Sequence, residues 1–322
     1  MCIAILSTAH PSYRLILLDN RDEFLNRPTA IASYWPSPDS TVLGGRDLLR
    51  PVQGTWLGIT TTGKLAVLTN YREDTSPPPT AVSRGAIIRQ FLTDDVPDVA
   101  DWVRETVSTG TAKDAGGFSL VCGKVGEELA VVSNRAEDGD DVPWIMGLTG
   151  QTVGLSNAAF TDRSWPKVTL GEEMVREAIK ANVEGEEGEE KLVENLLKVL
   201  NHDTLPRHGD LGEGGLDTYI TDLRKTILVP PIGRKSMAGL DEGSMRAARN
   251  GEKVRIFDGQ TNLKPEQLGV DGIYATQKQT VILIDHNNRV RFFERSLFDT
   301  NSDVIPTSKG DVDLEFQIAM PT

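Results

Sequence analysis

A cysteine in second position, Cys2, is the residue whose place alone suggests chemistry. Cellular aminopeptidase generally removes a leading Met before a small residue. Loss of Met1 would leave a thiol and a free α-amine on one residue, a nucleophile carrying its own base. The amine titrates near ~7.7–8.0 and the thiol near ~8.5, so at neutral pH the amine can take the thiol proton with little mismatch. Small second residues are common, so the position needs support. It comes from Asp19-Asn20-Arg21-Asp22-Glu23-Phe24, a dense polar cluster closing a strongly apolar run. A carboxylate there can hold a terminal ammonium, and a guanidinium can favour thiolate over thiol. By frequency alone, such a cluster is a strand-end turn with solvated ion pairs.

These residues meet only if the right strands pair. Residues 2–6 and 13–19 are apolar, β-branched-rich runs around His10-Pro11-Ser12, which predicts a hairpin and returns the polar cluster toward Cys2. The pattern repeats over 54–59 and 64–69 around Gly63, so four strands precede any helix. Ser83 caps a helix through Ile87, Ile88 and Phe91, and Asp94 or Asp95 starts another holding Val99, Trp102, Val103 and Val107. Further strands are expected at 118–122, 129–133, 151–155, 273–276, 281–285 and 290–293, with helical periodicity over 174–179 and 192–200. Strand runs, then helices, then strands favour an α+β arrangement in which two sheets are sandwiched between outer helices. One domain over 1–322 is expected, with 182–216 and 233–268 as surface insertions rich in Gly, Glu, Asp and Asn.

Composition excludes several classes. With 39% hydrophobic and 25% charged residues, the 322-residue chain is ordinary for a globular protein. A net charge of -13 with no basic stripe argues against nucleic acid as a partner. Part of the acidity is local, because Glu184, Glu186, Glu187, Glu189 and Glu190 should repel one another and stay solvated. No basic region precedes the short apolar N-terminal run, so neither a signal peptide nor a transmembrane segment is expected, and the reading is cytoplasmic. Association with an organelle by other means stays open. Cys2 and Cys122 do not form a disulfide framework, and His10, His202, His208 and His286 lack metal-ligand spacing. No metal or cofactor is therefore expected.

Met1-Cys2, Asn20-Arg21-Asp22-Glu23, Arg27-Pro28, Gly45-Arg46-Asp47, Gly54-Thr55-Trp56-Leu57-Gly58, Leu68-Thr69-Asn70-Tyr71-Arg72 and Ser83-Arg84-Gly85 occur in that order. Gly154-Leu155-Ser156-Asn157, Trp165-Pro166-Lys167-Val168, Tyr274-Ala275-Thr276 and Phe293-Glu294-Arg295 follow. Together these blocks resemble the NRDE family, also called the transport-and-Golgi-organisation family, second member. The family is similar in architecture to N-terminal cysteine amidases, which implies an Ntn-hydrolase-like four-layer αββα sandwich. Carried over, the resemblance makes Cys2 the nucleophile, Arg21 the thiolate partner and Asp22 the ligand of the free amine. It places Asn70 at the oxyanion and gives Asn157 the amine or substrate, with Asn20, Glu23, Trp56 and Tyr71 expected to bind substrate. Asn70 and Asn157 also have a plain turn-forming explanation. Where the family usually carries Tyr-Gly-Thr-Arg, this chain has Tyr274-Ala275-Thr276-Gln277. The resemblance implies a hydrolase of acyl amides or thioesters; the alternative is a non-catalytic carrier of a small molecule, haem or an acyl-CoA or lipid, supporting Golgi organisation and secretion.

Overall fold

The computed structural model describes residues 1–70, 82–206, 220–232, 273–299 and 301–319. The chain begins with β1 (Ile3–Ser7), β2 (Tyr13–Phe24), β3 (Thr29–Tyr34), β4 (Val42–Asp47), β5 (Leu57–Thr60) and β6 (Lys64–Asn70). Helices α1 (Arg84–Thr93) and α2 (Val99–Ser108) follow, then β7 (Phe118–Lys124), β8 (Leu129–Ser133), β9 (Trp144–Ile145) and β10 (Thr152–Leu155). Next come α3 (Pro166–Glu184), α4 (Glu189–Leu200) and the short α5 (Ile220–Leu223), and the chain closes with β11 (Tyr274–Asp285), β12 (Arg289–Ser296) and β13 (Asp311–Gln317). Among the described residues six strands thus precede the first helix, not four: β3 and β4 lack the apolar runs by which the others are legible. Helix α2 starts later than expected, at Asp98, whose side chain accepts from Asp101 N.

Every pairing between these strands is antiparallel, in one sheet ordered β10-β1-β2-β11-β12-β13 and another ordered β3-β4-β5-β6-β7-β8-β9. Alternate side chains on each strand face opposite layers. Ala4, Leu6, Leu15, Leu17 and Ile282 of the first sheet pack against Leu43, Leu57, Leu65 and Val67 of the second. Their neighbours Ile3, Ile5, Ile16 and Leu18 face outward onto Val175, Leu192 and Leu196 of α3 and α4. On the far side, Val42, Ala66, Leu68 and Leu120 meet Ile87, Phe91 and Val103 of α1 and α2. Three apolar interfaces separate four layers, which is the αββα order. Because both faces of the central strands are covered, their sequences read as unbroken apolar runs.

The described part of 182–216 is not a surface insertion. Over 182–206 the chain finishes α3 and forms α4, which buries Leu192, Val193, Leu196, Leu197 and Leu200 against the first sheet. The stretch 233–268 lies outside the described residues. Nor is the acidic run wholly solvated: Glu189 pairs with Arg289 at 2.8 Å and Arg291 at 3.2 Å, and Glu190 with Arg291 at 2.9 Å. Bonds from Arg289 hold the Glu189 carboxyl at about 2, below the ordinary range. The same arginines fix the last strand, through Arg289–Glu315 at 2.5 Å, Arg291–Asp313 at 2.6 Å and, farther along, Arg295–Asp311 at 2.6 Å.

Two glycine contacts shape the ground around the polar cluster. A Cβ on Gly45 would lie 2.4 Å from the Trp56 ring, and one on Gly54 would lie 2.4 Å from the backbone of Gly85. Thr55 Oγ1 ties these pieces, its one proton shared between Gly45 O at 2.6 Å and Leu57 O at 2.8 Å. Gly45→Ala is expected to push Trp56 aside and lower the unfolding free energy by about 1–3 kcal/mol, the usual cost of overpacking. Urea unfolding checks this; an unchanged midpoint would show that the ring has room to move.

Among the described residues, no helix is long and apolar enough to cross a membrane.

Candidate active site

The chain enters β1 from the interior. Met1 and Cys2 are only 9% and 7% exposed. The terminal ammonium lies 2.8 Å from Asp22 Oδ2 and donates to the Tyr274 hydroxyl. Thr276, directly opposite Asp22 in the β2–β11 ladder, donates from Oγ1 to Asp22 Oδ1 at 2.6 Å. Lys167, in the first turn of α3 just after Pro166, is fully buried and donates from Nζ to Met1 O at 2.5 Å. Ser156 Oγ donates to Cys2 O at 2.6 Å. The thiol itself rests on the Asp22 backbone, accepting from its N at 3.4 Å and donating to its O at 3.6 Å.

Burial governs the charges here. It pushes the terminal amine below its ordinary value although Asp22 pulls the other way. It pushes the Cys2 thiol up to about 11, the neighbouring ammonium only partly offsetting it. Lys167 is likewise lowered by burial, against the attraction of Asp22 and Cys2. With Met1 in place the free amine belongs to Met1, and the Cys2 nitrogen is an amide.

The expected site residues divide. Asp22 and Cys2 come together as described. Arg21 faces the space between the sheets, donating to Gln277 Oε1 and stacking 4.4 Å over the Trp56 ring, with Glu23 at 3.9 Å. Among the described residues no hydrogen bond or ion pair joins it to the thiol. A bulge between Thr276 and Lys278 explains its partner: it leaves Gln277 out of the β2 register and lets the amide reach Arg21. Asn20 points to the helix layer, donating to Leu200 O at 2.8 Å and Ile227 O at 3.0 Å, so its amide donors are consumed by backbone. Glu23 also lies 3.7 Å from Arg27, whose main partner is Asp47 at 2.7 Å.

Asn157 donates to Asn70 O at 2.6 Å, and Thr69 Oγ1 donates to Ser156 O at 2.7 Å. Since β6 belongs to one sheet and β10, just before Ser156, to the other, these bonds stitch the two sheets together at the end where Cys2 lies. Asn157 is linked to Cys2 through Ser156, which bonds both. Tyr71 lies outside the described residues.

Four contributors were not singled out from the sequence: Ser156, Lys167, Tyr274 and Thr276. Each stands inside a motif block, which was the available signal. A lysine in a helix's first turn ordinarily reads as solvated, so Lys167 carried no mark of its burial.

Asp19 sits across from Ala4 on the inter-sheet face, and neither of its carboxylate oxygens has a hydrogen-bond partner among the described residues. Burial first, then the nearby Asp22 charge, raises its pKa well above the ordinary carboxyl value. An acid whose pKa is raised by folding stabilises the native state fully below the unfolded value near ~3.9 and loses that contribution as pH rises through the folded value. Asp19→Asn is expected to remove a slope of up to about 1.4 kcal/mol per pH unit. The variant therefore gains on wild type as pH rises above the unfolded value near ~3.9 and matches it below that value. Parallel stability curves for the two proteins would refute the assignment.

Four layers closed over a buried N-terminus define the class: a four-layer αββα sandwich of two antiparallel sheets. A family model described as Transport and Golgi organisation 2 matches residues 1–299, and the chain belongs to that family. The Transport and Golgi organization 2 homolog of Mus musculus is 32% identical over 300 residues, covering 90% of this chain and 89% of its own. The Homo sapiens homolog is 30% identical over 295 residues, covering 89% and 88%. Solved structures are looser matches. The Caenorhabditis elegans ortholog of N-acylethanolamine-hydrolyzing acid amidase aligns with a TM-score of 0.41 at 15% identity, covering 61% of this chain and 85% of that one. A mutant conjugated bile acid hydrolase from Clostridium perfringens aligns at 0.36 and 12% identity, covering 100% and 99%.

Proposed function

We propose that this chain, relieved of Met1, is an N-terminal-cysteine hydrolase of acyl amides or thioesters. The observation that carries the reading is the burial of a charged chain terminus on Asp22 while the neighbouring Cys2 thiol rests on the backbone of that same residue. A carboxylate committed to a terminal ammonium is what a cysteine with its own amine requires. In the mature chain the Cys2 amine takes the Sγ proton and Sγ attacks the substrate carbonyl. The amine returns the proton to the leaving nitrogen or sulfur, and water then releases the acyl group from Sγ. Asn70 is the donor proposed for the oxyanion, with Asn157 holding the backbone of Asn70 in place; loss of one such donor costs about 10²–10³ in kcat.

The test is a protein made to begin at Cys2 by cleavage of an N-terminal fusion and exposed to a panel of acyl amides and acyl thioesters. Intact mass should show one added acyl group, absent from Cys2→Ala. No adduct from any substrate, with the free cysteine terminus verified, would sink the proposal.

One observation favours a second reading. In the Met1-bearing chain the thiol is buried and raised to about 11, which suits a quiet wall residue better than a nucleophile. On that reading the protein carries haem or an acyl-CoA or lipid and supports Golgi organisation and secretion at the Golgi, in keeping with its relatives' names. Titration of haem and acyl-CoA against wild type and Cys2→Ala separates the two: retained binding without the thiol favours a carrier.

A further inference from the structure

Met1 fills a built site. Its side chain belongs to a buried apolar cluster with Ala158, Trp165, Val168 and Tyr274, with Phe24 packed against it, and its carbonyl oxygen takes the hydrogen bond from Lys167. Among the described residues that is the one hydrogen bond Lys167 Nζ makes, and the Trp165 ring lies 5.7 Å away. Removal of Met1 therefore takes away the acceptor of a fully buried ammonium and empties an apolar hollow in the same step. A buried cation without a partner is costly, and apolar walls offer water little in exchange. Charge points the same way. Asp22 is the carboxylate that attracts both the terminal ammonium and Lys167, so two buried cations share one counter-charge.

We propose that the space held by Met1 becomes, when Met1 is gone, the site for a short unbranched acyl group, whose oxygen replaces Met1 O on Lys167 and whose chain replaces the methionine side chain. This names the substrate class of the hydrolase reading and rests on its premise that Met1 is removed, though not on turnover. The carbonyl carbon, Cα, Cβ, Cγ, Sδ and Cε of methionine form an unbranched chain that hexanoate copies atom for atom. Lys167 is then a positioning residue for the acyl oxygen, and the hollow sets chain length.

The experiment uses two full chains carrying Cys2→Ala, so that no acyl-enzyme can form. One starts at Met1 and the other at position 2, each generated by cleavage of a fusion and verified by intact mass. Calorimetric titration is expected to show hexanoate binding the shorter chain at least tenfold more tightly than the longer one. It should also bind at least tenfold more tightly than acetate, which lacks the chain, or hexylammonium, which reverses the charge. Lys167→Met in the shorter chain should weaken hexanoate by a similar factor. Equal binding to both chains, or no hexanoate binding by a shorter chain that still unfolds cooperatively, overturns the inference; neither requires a variant at Lys167. Failure of the two readings is distinguishable. Acylation without hexanoate binding removes this site and leaves the hydrolase, whereas hexanoate binding without acylation does the reverse.

Discussion

Asp22→Asn will lower the unfolding free energy by up to about 2–3 kcal/mol at pH 6, because it strips the counter-ion from a buried ammonium, which must then give up its proton at about 1.4 kcal/mol for each pH unit below its unfolded value. The asparagine keeps the size of the side chain and can still accept from Thr276, so the loss reads the ion pair and not a cavity. The pH dependence has a definite sign. Burial lowers the amine's folded pKa, so its contribution is present above the unfolded value near ~7.7–8.0 and declines as pH falls through the folded one. Without Asp22 that pKa drops further, so the variant suffers most in acid and approaches wild type above about pH 8, where the amine is neutral in both states. Urea unfolding at pH 6 and pH 9 measures both halves. A loss under about 1 kcal/mol at pH 6 would mean that the pair is no better than a surface contact.

The second large effect concerns thiol reactivity in the chain that keeps Met1. With the Cys2 thiol at about 11, roughly one molecule in a thousand is thiolate at pH 8, against about one in four for a free cysteine near ~8.5. Alkylation by iodoacetamide should therefore run about two hundredfold slower than with a peptide thiol, and accelerate about tenfold per pH unit up to pH 11. Cys122 is buried in the other sheet and raised higher still, so it adds no fast background. Reaction at the peptide rate would show that Cys2 is exposed and that the terminus does not lie where it is described.

Much of the layer order was legible because apolar side chains on the central strands are covered on both faces. Ile3 through Leu6 and Leu15 through Leu18 could not be anything but buried strand. What escaped the sequence was set by partners distant along the chain. Strand β2 runs on to Phe24 because β11 arrives more than two hundred residues later to pair its polar end. Arg21, expected beside the thiol, instead lies over Trp56 because alternation along β2 turns it toward the second sheet and the bulge at Gln277 offers it an acceptor. Asn20 looked like a site residue by its neighbours, yet its amide holds the turn after α4. Lys167 gave no hint of burial, since nothing local tells a lysine at a helix start that the chain's own first carbonyl will meet it.

The family match ends at residue 299, and β13, the outermost strand of the first sheet, begins beyond it at Asp311. Its side chains are partly exposed throughout, and besides its backbone ladder it is fastened by guanidinium–carboxylate clasps at Arg289, Arg291 and Arg295. Concentrated salt weakens such clasps while leaving the apolar interfaces nearly untouched. The last strand is thus the first to let go, baring a row of amides and carbonyls along β12 that a second molecule can add to edge on. Self-association under those conditions, ahead of unfolding, is the cost of ending a sheet with charge instead of grease.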